Sequence, residues 1–161
     1  MTNIEKKGYH PVTIRIYTKD KELLLEDKLI CAYNTKSGAI ISVGKEGMAY
    51  VQEDEVAVIN PLKWGNVADY VIFEKVIMHY KKKLPVKFAK KPKVALCIPA
   101  RLTEVEKKAF SEAFIQCTGK PFWLIEKSFE EMSEGESDIQ MKGINYYVEF
   151  VSEYYNTEYF N

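Results

Sequence analysis

The sequence predicts an α/β domain whose mixed sheet joins an antiparallel meander to parallel βα units, flanked by helices. Three observations carry that prediction. First, Val94-Ala-Leu-Cys-Ile98 is a continuous apolar run closed by Pro99, the pattern of a strand buried on both faces. Second, apolar residues recur at helical spacing through Val105, Ala109, Phe110, Ala113, Phe114 and Cys117, and a second short apolar run follows at Phe122–Ile125. Strand, helix and strand in this length make a βαβ unit. Third, Val12–Tyr17 alternates polar and apolar residues and is followed by short segments separated by polar turns, the signature of a meander.

Taken in order, Met1–His10 is polar and reads as a loose terminus. Val12–Tyr17 is the first strand and Lys19-Asp-Lys21 its turn. Glu22–Glu26 and Leu29–Tyr33 are extended, Asn34-Thr-Lys-Ser-Gly38 is a turn, and Ala39–Val43 is a third strand ending at Gly44. Lys45–Gln52 suits a short helix, and Val56–Ile59 a strand leading to Pro61 and to a tight turn at Trp64-Gly65. Asp69 is placed to cap a helix whose apolar positions are Tyr70, Phe73, Val76, Ile77 and Tyr80, and Lys81-Lys-Lys83 suits its negative C-terminal end. Pro85–Pro92 is a basic connector. Thr103 and Glu106, three apart, form a capping box for the central helix, which Thr118-Gly119 ends. After Glu126 the chain turns acidic, Glu130–Asp138. Ile144, Tyr147, Val148, Val151, Tyr154 and Tyr155 then repeat at helical spacing, although Ile144, Tyr146, Val148 and Phe150 also alternate. A helix is the expectation for this tail. Residues 1–130 are therefore read as the core, and 131–161 as an acidic loop and a Tyr-rich C-terminal helix packed on it.

Hydrophobic residues make up 47% of 161, enough for one core without staples. The 23 basic and 23 acidic residues cancel, which removes the field that would draw the chain onto nucleic acid or anionic lipid. The lysines at 81–83, 87, 90 and 91 cluster, but Phe88 is the only stacking aromatic interleaved with them, acidic stretches elsewhere balance them, and they read as a solvated linker. Cys31, Cys97 and Cys117 form no close pair and read as buried thiols of a reducing compartment. No signal segment or membrane-spanning run is visible, so the expected location is cytoplasmic.

Two blocks carry a family resemblance. Val94-Ala-Leu-Cys-Ile-Pro99, Leu102-Thr-Glu-Val-Glu-Lys-Lys-Ala109 and Trp123-Leu-Ile-Glu126 resemble the bacterial actin (MreB) family. That family has an apolar strand ending Val-Pro, then Ile-Thr-Glu-Val-Glu-Arg-Arg-Ala, then Tyr-Leu-Ile-Glu-Glu-Pro. Upstream, Pro61-Leu-Lys-Trp-Gly-Asn-Val-Ala-Asp-Tyr70 is similar to the family's Pro-Leu-Lys-Asp-Gly-Val-Ile-Ala-Asp-Phe. With weaker similarity from Ile14 to Gly44, the resemblance covers roughly residues 14–130. It implies a ribonuclease-H-like, actin-like ATPase half (the first half, or subdomain I), with the meander preceding the βα units.

The resemblance also implies where nucleotide chemistry belongs, and there the residues depart from the pattern. The family's first phosphate loop, Asp-x-Gly-Thr, corresponds to Gly8-Tyr-His-Pro-Val-Thr13, which has no aspartate, one glycine and a proline that removes a donor. The second loop, Asp-x-Gly-Gly-Gly-Thr, does not follow Glu126. The family's Glu-Glu-Pro-x-Ala-Ala-Ala reads Glu126-Lys-Ser-Phe-Glu-Glu-Met132, placing Glu130 and Glu131 where carboxylates would repel phosphate. Glu106 matches the glutamate that the family associates with positioning water. Its expected role is the second half of the capping box, and it is expected to be inactive here.

The expectation is thus a non-catalytic, truncated actin-like domain without ATPase activity, cofactor or metal. It would act as a binding or scaffolding module for a cytoskeletal or cell-shape partner, or for a second copy of itself. Tyr146, Tyr147, Tyr154, Tyr155 and Tyr159 are the candidate contact surface, since aromatics anchor interfaces. One alternative is a metal-dependent enzyme on a ribonuclease-H-like sheet, for which Asp69, Glu104, Glu106 and Glu126 are the carboxylates to place. A Cys97–His79 dyad is a weaker catalytic candidate, and Gly44-Lys-Glu-Gly47 is too sparse for a phosphate cradle. A further alternative, a degenerate mobile-element product of regulatory or unknown role, has no signature of its own.

Overall fold

A computed structural model describes residues 12–63, 66–67, 69–84, 92–118, 122–134 and 143–151. Ten strands and three α-helices occur among them: β1 Thr13–Thr18, β2 Leu23–Lys28, β3 Cys31–Asn34, β4 Ile40–Val43, β5 Val56–Ile59, β6 Leu62–Lys63, β7 Asn66–Val67, α1 Tyr70–Lys82, β8 Val94–Cys97, α2 Glu104–Thr118, β9 Phe122–Ile125, α3 Phe129–Glu134 and β10 Tyr146–Val151. A short 3₁₀ helix at Lys45–Tyr50 occupies the place where a short helix is expected.

The main sheet has the order β2-β1-β10-β8-β9. β1 pairs antiparallel with both β2 and β10, while β8 pairs parallel with both β10 and β9. The sheet is therefore mixed, as expected, and β8-α2-β9 is the expected βαβ unit. A second sheet, β4-β3-β5, is antiparallel.

Local chemistry explains the ends of these elements. Asn34 Oδ1 accepts from the N–H groups of Lys36 and Ser37, each at 2.9 Å, and Gly38 takes the positive φ that closes the turn. Asp69 accepts from the Ile72 N–H at 3.0 Å and caps α1. At α2 the Thr103 N–H donates to Glu106 at 2.8 Å, and the Glu106 N–H donates to the Thr103 hydroxyl at 3.1 Å.

The tail differs from its expectation. Residues 146–151 form a strand, not part of a helix, and that strand lies at the centre of the sheet. The segment satisfies both periods, and the sheet decides between them. A central strand needs apolar surface on both faces, and Tyr-Tyr-Val-Glu-Phe-Val supplies it with β-branched and aromatic residues. The C-terminal segment is thus part of the core sheet, not an appendage packed on it. Trp64 and Gly65, the basic connector at 85–91 and residues 152–161 lie outside the described residues.

One face of the sheet carries Ile14, Ile16, Val94, Leu96, Tyr146, Val148 and Phe150, covered by the apolar sides of α1 and α2. Val105, counted in the helical stripe of α2, is instead exposed. Phe150 lies among three helix rings, with centroids 5.9 Å from Phe73, 6.2 Å from Phe110 and 6.0 Å from Phe114. Ala95, Cys97 and Tyr147 point to the other face, under Phe129 and Met132 of α3. Phe150→Ala is expected to cost about 3–5 kcal/mol, because the ring is fully buried and its neighbours belong to two helices. Urea unfolding at neutral pH checks this against the parent chain.

Candidate functional site

Ligands of open α/β sheets bind beyond the C-terminal ends of the parallel strands. Here that end lies past β8 and β9, where Arg101–Lys107 meets Glu126. Glu126 Oε2 accepts from the Leu102 N–H at 2.9 Å, and its Oε1 pairs with Lys107 Nζ at 2.9 Å. The same ammonium reaches Glu104 at 3.5 Å. The Leu102 N–H, followed by Lys107, holds the Glu126 carboxyl below its ordinary value, while Glu126 raises Lys107. Glu106 is taken up by the capping box. Asp69, at the start of α1, caps that helix.

The four carboxylates proposed for a metal are thus placed as two helix caps and two partners of one lysine. Among the described residues no group of three or more His, Cys, Asp or Glu side chains is arranged to hold a metal ion.

Cys97 and His79 are not brought together as a dyad. Cys97 is fully buried on the α3 side of the sheet, whereas His79 lies on α1, whose apolar side covers the opposite face. Burial pushes the Cys97 thiol up to about 12 and the Cys31 thiol up to about 11. Burial also lowers His79, whose ring meets Tyr80 edge-on at 5.5 Å. These are the properties of structural thiols.

Gly44 serves packing. Its φ is 101°, and a Cβ there would lie 2.1 Å from Asp27 Oδ2. Asp27 is a hub that composition and spacing do not reveal. Its Oδ1 accepts from the N–H groups of Lys28 (2.8 Å) and Lys45 (3.0 Å), and its Oδ2 accepts from the Tyr80 hydroxyl (3.0 Å). It ties β2, the 3₁₀ helix and the end of α1 together, so a carboxylate of the chain itself occupies the Gly44-Lys45 turn.

The Tyr-rich surface is corrected in part. Tyr146 and Tyr147 are 3% and 7% exposed and belong to the two cores, so they are not available as contact anchors. Tyr154, Tyr155 and Tyr159 lie outside the described residues. Sequence reasoning also missed a charged row across the sheet. Arg15 sits opposite both Glu26 and Glu149 in register, 2.6 Å from the first carboxylate and 3.4 Å from the second. Glu149 is 4% exposed and also accepts from the Tyr17 hydroxyl at 3.3 Å and from the Phe129 N–H at 2.8 Å. A lone charge inside an apolar run, facing a lone arginine in an alternating strand, was the available signal.

The meander expected from Val12 to Val43 is divided, with β1 and β2 in the main sheet and β3 and β4 in the second. A mixed sheet with helices on both faces, in which the β1-β2 hairpin is joined through β10 to a β8-α2-β9 unit, is the architecture of an actin-like ATPase half. The comparisons agree. Residues 11–133 match the family model described as MreB/Mbl protein, and the chain belongs to that family. It is 33% identical over 117 residues to the cell shape-determining protein Mbl of Bacillus subtilis, and 29% identical over 120 residues to MreB of Pasteurella multocida. These matches cover 71% and 70% of this chain but 35% and 34% of the relatives, so the chain spans about a third of their length. Among solved structures, MreB5 of Spiroplasma citri bound to AMPPNP superimposes with a TM-score of 0.63 at 20% identity, over 71% of this chain and 35% of that one. The same protein bound to ADP gives 0.63 at 21%. Among the described residues no helix is long and apolar enough to cross a membrane.

Two outcomes test the site. Glu126 is lowered in the folded state, so its stabilisation is present above its ordinary value of 4.5 and is lost as pH falls through the folded value. Glu126→Gln is expected to cost about 1 kcal/mol at pH 7, a modest figure because the carboxylate is partly exposed and screened, and progressively less as pH falls below 4.5. Urea unfolding as a function of pH reads this. Cys31 and Cys97 should resist a thiol reagent in the native protein and react once it is denatured. Because their folded values lie above the ordinary 9.0, stability should fall as pH rises beyond 9.

Proposed function

We propose that this MreB/Mbl-family span is a non-catalytic binding or scaffolding module. The observation that supports this reading most is the use made of its polar side chains. At the strand ends where an actin-like ATPase would work, Glu106 caps α2, and Glu126 binds the Leu102 N–H and Lys107. Each of the two carboxylates already has a structural partner. The Gly44-Lys45 turn is likewise filled by Asp27. A phosphate brought to either place would meet a carboxylate already satisfied by the chain, at an electrostatic cost.

The relatives named as cell shape-determining proteins suggest the kind of partner, a protein of the cell-shape machinery or an assembled relative of the same fold. Such contacts need the frame and not the chemistry.

Titration with ATP and magnesium, followed by thermal unfolding, tests the reading. The expected result is no rise in melting temperature up to millimolar nucleotide. A rise of several degrees, the effect of a ligand held at a hundred times its Kd, would overturn it. Co-sedimentation with an assembled Mbl or MreB relative tests the positive half, and the chain is expected in the pellet without added nucleotide.

A further inference from the structure

β10 lies between two strands of the family match. Residues 11–133 include β1 and β8, the two strands that flank it, but not β10 itself. The slot between β1 and β8 is therefore built by the shared portion of the chain and filled from beyond it. We propose that this slot is a binding site for an extended peptide strand, occupied in cis by residues 146–151 and able to take the same strand in trans.

The slot has the features of a strand receptor. It presents two facing backbone edges of opposite demand: an antiparallel partner for β1, from Thr13↔Val151 to Thr18↔Tyr146, and a parallel partner for β8, from Tyr146↔Val94 to Glu149↔Cys97. An occupant must satisfy both, so its direction is fixed. Side-chain pockets then fix its register. On the helix face, position 150 enters the ring cluster of Phe73, Phe110 and Phe114. On the other face, position 149 meets Arg15, the Tyr17 hydroxyl and the Phe129 N–H, three donors converging on one carboxylate. Position 147 packs on Phe129, with ring centroids 5.5 Å apart. The recognised ligand is thus an extended apolar peptide with an acidic residue followed directly by an aromatic one. A slip of one residue in one direction would put the acid into the ring cluster with Val148 against Arg15, and in the other would put the Phe150 ring against Arg15; both are disfavoured.

The test uses the full chain. Glu149→Lys sets a cation against Arg15 and should weaken the strand held in cis, lowering the melting temperature. Adding a synthetic peptide of residues 143–151 with the native sequence should restore several degrees at saturation. The same peptide carrying the Glu149→Lys change should bind at least about tenfold more weakly, the loss expected for a buried charge pair broken on one side. If the Glu149→Lys chain does not fold, a protease site placed between residues 135 and 142 of the native chain gives a second route. After cleavage of the folded protein, a fluorescent native peptide should exchange into the complex and gain anisotropy. The proposal is overturned if neither route shows uptake at about millimolar peptide, a concentration that captures even weak strand addition. It is also overturned if the Lys peptide binds as well as the native one, or if the cleaved chain loses its strand and cannot regain it.

Discussion

Backbone N–H and C=O groups in the middle of a buried sheet have no water to turn to, so each must find a partner within the fold. That requirement falls most heavily on the line between β1 and β8. On one side lies an antiparallel ribbon, β2-β1; on the other a parallel pair, β8-β9. Neither has a route to the other without β10, which carries one ladder of each kind. The apolar cores follow from the same placement. Phe150 gives the helix-side core its central ring, Tyr147 reaches the opposite face, and Glu149 lies buried between three donors. A strand that joins two ladders and two cores sets the position of every layer around it.

Charge in this molecule is spent on holding elements together. Glu26, Arg15 and Glu149 run in one row across three strands, and the buried end of the row is the best satisfied. Asp27 holds three elements with three accepted bonds. Glu126 and Lys107 fasten the end of β9 to the start of α2. Each of these carboxylates belongs to a residue type that elsewhere binds metal or orients water. Here each of them is engaged by groups of the chain itself.

The parts of the fold that were legible in the sequence are those whose signals are local. The run Val94–Ile98, the Thr103–Glu106 box, the Asp69 cap and the Asn34–Gly38 turn each announce themselves within a few residues. Those that were not legible depend on a distant partner. Residues 146–151 fit a helical stripe and an alternating strand alike, and the two edges that choose between them lie more than forty residues upstream. Asp27 reads as one more surface charge until Tyr80 is brought across to it. Glu149 looks exposed on any helical wheel, and becomes buried once Arg15 is its neighbour.

Kinship and completeness therefore reside in different segments. The match to the MreB/Mbl family ends at residue 133, having supplied the frame, both edges of the central slot and all three helices but the last residue of α3. The strand that makes this frame a continuous sheet comes afterwards, from residues the match does not reach. Any relative sharing this frame faces the same two backbone edges and must cover them with some strand of its own, because the hydrogen-bonding demand belongs to β1 and β8 and not to the sequence that meets it. The chemistry at the centre of the sheet then depends on which segment answers. In this chain the answering strand brings a glutamate that Arg15 neutralises and a phenylalanine that two helices enclose, and both commit the centre of the sheet to packing.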